Sequence, residues 1–208
     1  MATRRDWRKP MVKITIYAEG GSKGKLATDC RRGFQSFFRN AGLSGHMPAV
    51  VACGSRNDAY DDFRTAVKRP RANTLPMLLV DSEDEFSTTP WEHLKDRDNW
   101  DCPENATDDH AYLMVHCMEA WFLADHDCLK KYFGQGFTDT TLPGNTEVES
   151  IPKNIIFHSL KMATRRSESK GEYGKGKHSF EILGLIDPKK VRNVAPNADR
   201  LLRKLEVT

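Results

Sequence analysis

Acidic side chains follow two apolar stretches of this 208-residue sequence, each at a point where a β-strand is expected to end. Residues 12–18 predict a buried strand, and Glu19 follows it beside two glycines that let a backbone or a phosphate come close. Residues 75–80 predict a second buried strand, followed at once by Asp81 and Glu83. Because parallel strands end at one edge of a sheet, we expect these carboxylates to meet there.

The spacing within the second group of acids favours two of its three members. Side chains two residues apart on an extended segment point the same way, so Asp81 and Glu83 are predicted to face one site and Asp84 to face away. For Glu19 the alternative is an exposed side chain in an ordinary strand-to-helix turn.

A further carboxylate, Glu119, lies in the apolar stretch AYLMVHCMEAWFLAD, which covers residues 111–125. Residues 112–117 predict a fourth buried strand, and residues 118–124 predict the first turns of a helix. A carboxylate in such surroundings is seldom buried without a partner. Glu119 is therefore either a metal ligand or acid–base group near Glu19 and Asp81, or a helix N-terminal acid that pairs with an arginine or caps the helix.

A cluster of carboxylates with no histidine or cysteine among its ligands favours Mg²⁺ or Mn²⁺ over zinc. Such ions activate water or a hydroxyl group and neutralise a phosphodiester. Other chemistry has weaker support, because the sequence contains no GxxxxGK loop, no GxGxxG after a strand and no GxSxG elbow. A cysteine–histidine pair, Cys117 with His116 or His178, is not singled out by its spacing.

Basic residues provide candidate phosphate contacts. Arg56 follows the second predicted strand, so it is expected at the same sheet edge, although a surface arginine at a helix start is an equal alternative. Residues 167–177 alternate glycines with lysines, and we expect Lys175 and Lys177 to contact a phosphate backbone, unless this is a solvated surface loop. His178 is a candidate for proton transfer, but a histidine at a helix start is more often structural.

The periodicity between these residues predicts the elements that position them. Apolar residues three or four apart predict an amphipathic helix over 25–40, a strand follows at 48–52, and a second helix ends near Lys68. This strand–helix–strand–helix–strand order predicts an α/β fold with an open, mainly parallel sheet and helices on both faces.

We expect one domain spanning the whole chain. Its α/β core would cover residues 1–125, with a loop insertion at about 85–110 in which Trp91 and Trp100 are buried anchors. Residues 126–208 are predicted to form a mainly helical C-terminal extension.

Composition limits the classes of partner. The formal net charge is +3, which alone does not predict nucleic-acid binding. No apolar run approaches the length of a membrane span, and the basic start of the chain leads into no apolar signal core. The five cysteines are odd in number and form no CxxC pair, as is typical of reduced thiols, so we expect a cytoplasmic protein.

Five segments together resemble the bacterial domain of unknown function 4276 family over nearly the whole chain: YAEGG, VACGSRNDAYDDF, LLVDSED, HCMEAWFLAD and KGEYGKGKHSFEIL. The strand ending in Glu-Gly and the later strand ending in Asp-x-acid also resemble the Toprim fold of topoisomerases, primases and overcoming-lysogenization-defect nucleases. The segment HCMEAWFLAD is similar to the corresponding segment of RloB-like proteins.

The resemblance implies roles for individual residues. Glu19 would match the Toprim glutamate, Asp81 and Glu83 its DxD pair, and Glu119 the acid of the family's Glu-x-Trp segment. The chain departs from the Toprim pattern at Glu83, where the pattern has aspartate, and after the acidic run, where Glu85 and Phe86 stand in place of the usual glycine. These departures put the metal geometry in question.

The function implied is a Mg²⁺- or Mn²⁺-dependent nuclease acting on DNA or RNA, the effector of a bacterial anti-phage system with an ABC-type ATPase partner. A different expectation is a non-catalytic adaptor that docks on this ATPase, which an exposed aromatic patch of Trp91, Trp100 and Phe86 would favour. A weaker one is nucleotidyl transfer or phosphatase activity at the same metals.

Overall fold

A computed structural model describes residues 12–21, 23–144 and 146–207 of the chain. The basic segment at residues 1–10 lies outside these ranges. Four strands form one parallel sheet in the order β2-β1-β3-β4: β1 Lys13–Glu19, β2 Ala49–Gly54, β3 Thr74–Asp81 and β4 Ala111–Met114. The predicted α/β class and the parallel sheet are thereby confirmed.

Eight α-helices accompany the sheet in the described part of the chain. They are α1 Gly24–Asn40, α2 Arg56–Lys68, α3 Pro90–Asp98, α4 His126–Phe133, α5 Lys153–Thr164, α6 Ser179–Leu183, α7 Pro188–Val194 and α8 Pro196–Glu206. No helix in the described ranges is long and apolar enough to cross a membrane.

The helices cover both faces of the sheet, as expected, because β3 is apolar on both sides. Met77 and Leu79 pack into the larger core with α1 and the C-terminal helices, whereas Leu78 and Val80 pack into a second core with α2 and α3. Alternate side chains of a strand point to opposite faces, and all four residues are buried.

The region expected to be an irregular insertion contains a helix instead. Helix α3 begins with a capping box, in which Thr89 accepts a hydrogen bond from the backbone N–H of Glu92 and the Glu92 side chain accepts one from the backbone N–H of Thr89. Pro90 stands at its first turn. The prediction of buried tryptophans is confirmed, since Trp91 is 6% exposed and Trp100 is 8% exposed.

The segment around Glu119 also differs from its prediction. Strand β4 ends at Met114, three residues before the predicted end. Residues Met118–Ala124 form a 3-10 helix in place of the start of an α-helix. The chain between them, at His116, has a φ of 56°, which turns the backbone out of the sheet and ends the strand.

Candidate metal centre

The sheet order places Glu19 and Asp81 next to each other, because β1 and β3 are neighbouring parallel strands. Glu19 ends β1 at a register shift after Ala18, and Asp81 ends β3. An Oε2 oxygen of Glu19 accepts a hydrogen bond from the backbone N–H of Asp81 at 3.1 Å. The two carboxylates predicted to meet at the sheet edge therefore do so.

Glu83 also lies at this site, but with a backbone conformation that the sequence pattern did not predict. The strand has already ended at Asp81, and Glu83 has a φ of 69°, so the extended alternation assumed for Asp81 and Glu83 does not exist. The left-handed turn nevertheless brings Glu83 to the site. Asp84 points elsewhere, with its carboxylate 3.0 Å from Nε of Arg97.

These three carboxylates have a spacing that suits a divalent cation. One oxygen each from Glu19, Asp81 and Glu83 lies within 4.8 Å of the other two. Two oxygens bound to one Mg²⁺ are at most about 4.2 Å apart, so side-chain movements of about half an ångström would close the set on one ion. Oxygen-only donors are also the chemistry that Mg²⁺ and Mn²⁺ prefer. The three carboxylates therefore fit the Mg²⁺ or Mn²⁺ ion that the sequence predicted.

Asp81 is the most deeply buried member of the cluster, with a side chain 5% exposed. Its Oδ1 accepts a hydrogen bond from the backbone N–H of Met118 at 2.9 Å. Burial, with smaller contributions from the negative charges of Glu19 and Glu119, raises the pKa of Asp81 to about 7. Burial also raises the pKa of Glu19, although the Arg56 guanidinium opposes that rise.

A lysine that the sequence analysis missed occupies the cluster. Lys153, the first residue of α5, places its Nζ 2.5 Å from Oε2 of Glu83 and 3.7 Å from Oδ2 of Asp81. Its charge lowers the cost of holding these carboxylates together. No pattern in the sequence points to Lys153, because it is brought to the site by a segment 70 residues from Glu83.

Lys175, a predicted phosphate contact, lies at the mouth of the same site. Its Nζ is 3.6 Å from Oδ2 of Asp81 and 5.6 Å from the ring centre of Phe157, and its side chain is 55% exposed. Burial lowers the pKa of Lys175, but the charges of Glu119, Asp81 and Glu19 together outweigh burial and raise it. Lys175 therefore presents a permanent positive charge beside the carboxylates.

Glu119 lies on the wall of the same cavity, outside the group of three carboxylates. It is fully buried, and its Oε1 accepts hydrogen bonds from the Tyr173 hydroxyl at 2.9 Å and the Ser179 hydroxyl at 3.2 Å. Its Oε2 is buried and has no hydrogen-bond partner among the described residues. The sequence suggested an arginine as a partner of Glu119. Within the part of the chain that the structure describes, the contacts of Glu119 include no arginine, and Tyr173 and Ser179 are its hydrogen-bond donors instead.

Burial raises the pKa of Tyr173 far above its ordinary value, and the negative charge of Glu119 raises it further. Its hydroxyl therefore remains a donor at any physiological pH. Tyr173 and Ser179 belong to the segment KGEYGKGKHSFEIL, but their roles had no sequence signal beyond that resemblance.

A cavity of about 320 Å³ opens between the carboxylates and the segment that follows α5. Its lining includes the predicted site residues Glu19, Asp81, Glu119 and Lys175. Its remaining wall consists of four glycines, Ser179 and apolar side chains. The structure thus brings most of the predicted acidic and basic residues to one concave site.

The other predicted basic residues are not free at this site. Arg56 is 13% exposed, pairs with Asp98 at 2.5 Å, donates to the backbone carbonyl of Asp81 and lies 3.6 Å from Glu19. Arg56 thus reaches the site, but its guanidinium is already bound to groups at the edge of the sheet. Lys177 donates to the backbone carbonyl of Lys170 and does not line the cavity.

His178 is also placed away from the cavity wall. It is 2% exposed, its Nδ1 accepts a hydrogen bond from the backbone N–H of Gly174, and it packs against the rings of Tyr132 and Phe133. Burial lowers its pKa. These contacts match a structural role for His178, which was the alternative to proton transfer.

The fold and this site define a parallel α/β protein with an acidic cluster at the carboxyl edge of its sheet. A profile of the domain of unknown function 4276 family matches residues 18–206, which include every residue of the site. The chain belongs to that family, as its segments indicated. No curated protein and no solved structure matches the chain significantly.

Proposed function

We propose that this protein is a metal-dependent phosphodiesterase of the Toprim-like type that cleaves DNA or RNA. The observation that carries the proposal is the group of three carboxylates within 4.8 Å, placed at the carboxyl edge of a parallel sheet. Edges of this kind are where open α/β sheets bind ligands. A lysine beside the group and a cavity in front of it supply the charge and the space that a phosphate needs.

Glu19, Asp81 and Glu83 would hold Mg²⁺ or Mn²⁺, which supplies an activated water and neutralises charge on the phosphodiester. Lys175 has the position to contact a phosphate oxygen, because its amine is close to Asp81 while its side chain is half exposed. Lys153 would keep Glu83 oriented towards the site. Glu119 is held by hydrogen bonds to Oε1 only, which leaves Oε2 as an acceptor beside the cluster.

The direct test is cleavage of mixed DNA and RNA substrates with Mg²⁺ or Mn²⁺, comparing the wild type with Glu19→Gln. Gln keeps an oxygen that can accept the hydrogen bond from Asp81 but removes the charge. We expect metal-dependent cleavage that the variant loses while it remains folded. Glu104→Gln, on an exposed side chain that belongs neither to the cluster nor to the cavity lining, is the matched control and should retain full activity. Equal activity of wild type and Glu19→Gln would refute the assignment.

Lys175→Ala tests the phosphate contact separately. Removing one lysine that neutralises a phosphate should weaken nucleic-acid binding for all sequences alike and reduce the salt dependence of binding. Lys177→Ala serves as the comparison, because its amine contacts a backbone carbonyl and not the cavity. An unchanged salt slope in Lys175→Ala would remove this residue from the binding surface.

The proposal extends to the setting that the family resemblance implies: a bacterial cytoplasm, an anti-phage role and an ABC-type ATPase partner. Co-purification with an ATPase encoded beside the gene, followed by cleavage assays with and without it, tests this part. The non-catalytic adaptor has lost its expected support, since Trp91 and Trp100 are buried and form no exposed aromatic patch.

A further inference from the structure

The cavity beside the carboxylates has an apolar wall that binding of a metal ion does not require. Leu26 from α1, Met114, Met118 and Phe180 line it beside the acidic cluster. Hydrated cations and phosphate gain nothing from such side chains, whereas a ligand with a flat or apolar part does. The wall therefore indicates a ligand that carries more than a phosphate.

Bare backbone forms another side of this cavity. Gly20, Gly21 and Gly54 all have positive φ values and line the space beside Glu19. A Cβ at Gly20 would lie 3.0 Å from the Phe180 ring, and one at Gly21 would lie 2.6 Å from Cβ of Cys30. Glycine is therefore required here, and it lets a ligand approach the main chain closely.

One polar group on the wall is left without a partner. Oε2 of the fully buried Glu119 accepts no hydrogen bond from any residue that the structure describes, although a buried acceptor without a partner is costly. Oε1 of the same carboxylate is held in place by Tyr173 and Ser179, so the group is already oriented. Oε2 has almost no accessible surface, so a ligand with an N–H or O–H donor, such as a nucleobase amino group or a sugar hydroxyl, would satisfy it by displacing the side chains that cover it.

The volume limits how much of a nucleic acid can enter. About 320 Å³ is near the lower bound of pockets that enclose small ligands, which start at about 300 Å³. That is space for one nucleotide and far too little for a base-paired duplex. Enzymes that enclose a base must take it out of the stack, at a cost that is least for single strands.

We propose that this cavity binds one unstacked nucleotide, with its phosphate at the carboxylate cluster and Lys175 and its base or sugar against the apolar wall and Glu119. The inference rests on the proposed function, and it narrows the substrate to single-stranded segments and strand ends. Cleavage within a continuous duplex should be slow, because each event requires a nucleotide to be extruded.

Binding of nucleoside 5′-monophosphates, measured by calorimetry in Ca²⁺, tests the cavity without requiring turnover. We expect the wild type to bind a mononucleotide at least about tenfold more tightly than inorganic phosphate, a gain of about 1.4 kcal/mol from the apolar wall and Glu119. Leu26→Trp, which fills the partly buried wall position, should abolish that difference. Leu185→Trp is the matched control, since Leu185 is 56% exposed and does not line the cavity.

Circular dichroism and a Mn²⁺-induced rise in melting temperature must show that Leu26→Trp is folded with its cluster intact. Should this variant fail that check, Phe180→Ala replaces it and should likewise reduce the preference for mononucleotide over phosphate. Equal binding of phosphate and mononucleotide by the wild type would overturn the inference. So would cleavage of duplex and single strands at the same rate.

Failure of the inference and failure of the proposed function give different results. Metal-dependent cleavage without mononucleotide selectivity would leave the nuclease standing and remove the nucleotide pocket. Mononucleotide selectivity that Leu26→Trp loses, with no cleavage of any substrate, would support the pocket and refute the nuclease.

Discussion

Replacing Asp81 with Asn should stabilise the protein at alkaline pH when divalent ions are absent. The buried Asp81 carboxylate has a pKa of about 7 in the folded protein, against an ordinary value of 3.8. Between these two pH values the folded protein keeps a proton that the unfolded chain has lost. The free energy of unfolding therefore falls as the pH rises through this window, and the full loss is present above pH 7.

The size of the effect follows from this difference of about three pKa units, at about 1.36 kcal/mol for each unit. Ionised Asp81 thus costs the folded state up to about 4 kcal/mol at pH 8, a cost that a neutral amide of the same shape avoids. The Asn side-chain oxygen can still accept the hydrogen bond from the backbone N–H of Met118. At about 2–4 °C for each kcal/mol, recovering half of this cost, about 2 kcal/mol, should raise the melting temperature by about 4–8 °C.

Urea unfolding in a chelator, at pH 5 and pH 8, measures this directly. The advantage of Asp81→Asn in the chelator should be about 2–3 kcal/mol larger at pH 8 than at pH 5. Mn²⁺, added without the chelator, should stabilise only the wild type. Asp125→Asn is the control, because Asp125 is also buried but is bound to Lys190 at 2.6 Å and caps α4. This control should lose about 1–3 kcal/mol at both pH values. An Asp81→Asn protein no more stable than the wild type at pH 8 would refute the reasoning.

Three further substitutions separate the roles assigned to neighbouring residues. Lys153→Met removes a cation that competes with a divalent ion. Calorimetry should therefore show that the variant binds Mn²⁺ about 3- to 10-fold more tightly, a gain of about 1 kcal/mol. Lys161→Met, on the same helix, should leave the Mn²⁺ affinity unchanged. Arg56→Met should lower the free energy of unfolding in urea by about 3–5 kcal/mol, because it leaves the buried partners of Arg56 unpaired. A loss of nucleic-acid binding without a loss of stability would contradict this structural role. Tyr173→Phe leaves Glu119 with one donor fewer, which should lower the free energy of unfolding by about 1–3 kcal/mol, and unchanged stability would contradict the buried network.

The elements that local patterns specify could be predicted from the sequence. The amphipathic period of 25–40 predicted α1 within one residue at each end, because burial of one apolar face is decided by spacing alone. Strand ends followed by acids placed Glu19 and Asp81 correctly, because parallel strands end at the same edge. Helix α3 was missed even though its capping box, Thr89-Pro90-x-Glu92, stands in the sequence.

The parts that escaped prediction depend on contacts between distant segments. Lys153 reaches Glu83 across 70 residues, and Tyr173 reaches Glu119 across 54, so no local pattern records either pair. Glu83 does lie beside Glu19 and Asp81, but the reason given for it was wrong, since its φ of 69° replaces the extended geometry that the alternation assumed. Positive φ at a residue other than glycine is rare and leaves no signal in a single sequence.

Two of the positive charges at the site come from the helical second half of the chain. Three carboxylates held within 4.8 Å repel one another strongly without an ion, and burial of Asp81 adds to the cost. Two of the cations that oppose this repulsion, Lys153 and Lys175, come from beyond residue 125.

The same half supplies the donors of Glu119 and much of the larger core, in which Phe180 packs with side chains of β1 and α1. Without residues 126–207, the sheet edge would keep its acids but lose their counter-charges and the hydrogen bonds of a fully buried carboxylate. The second half of the chain therefore supplies counter-charges and hydrogen-bond donors on which the arrangement of the acidic site depends.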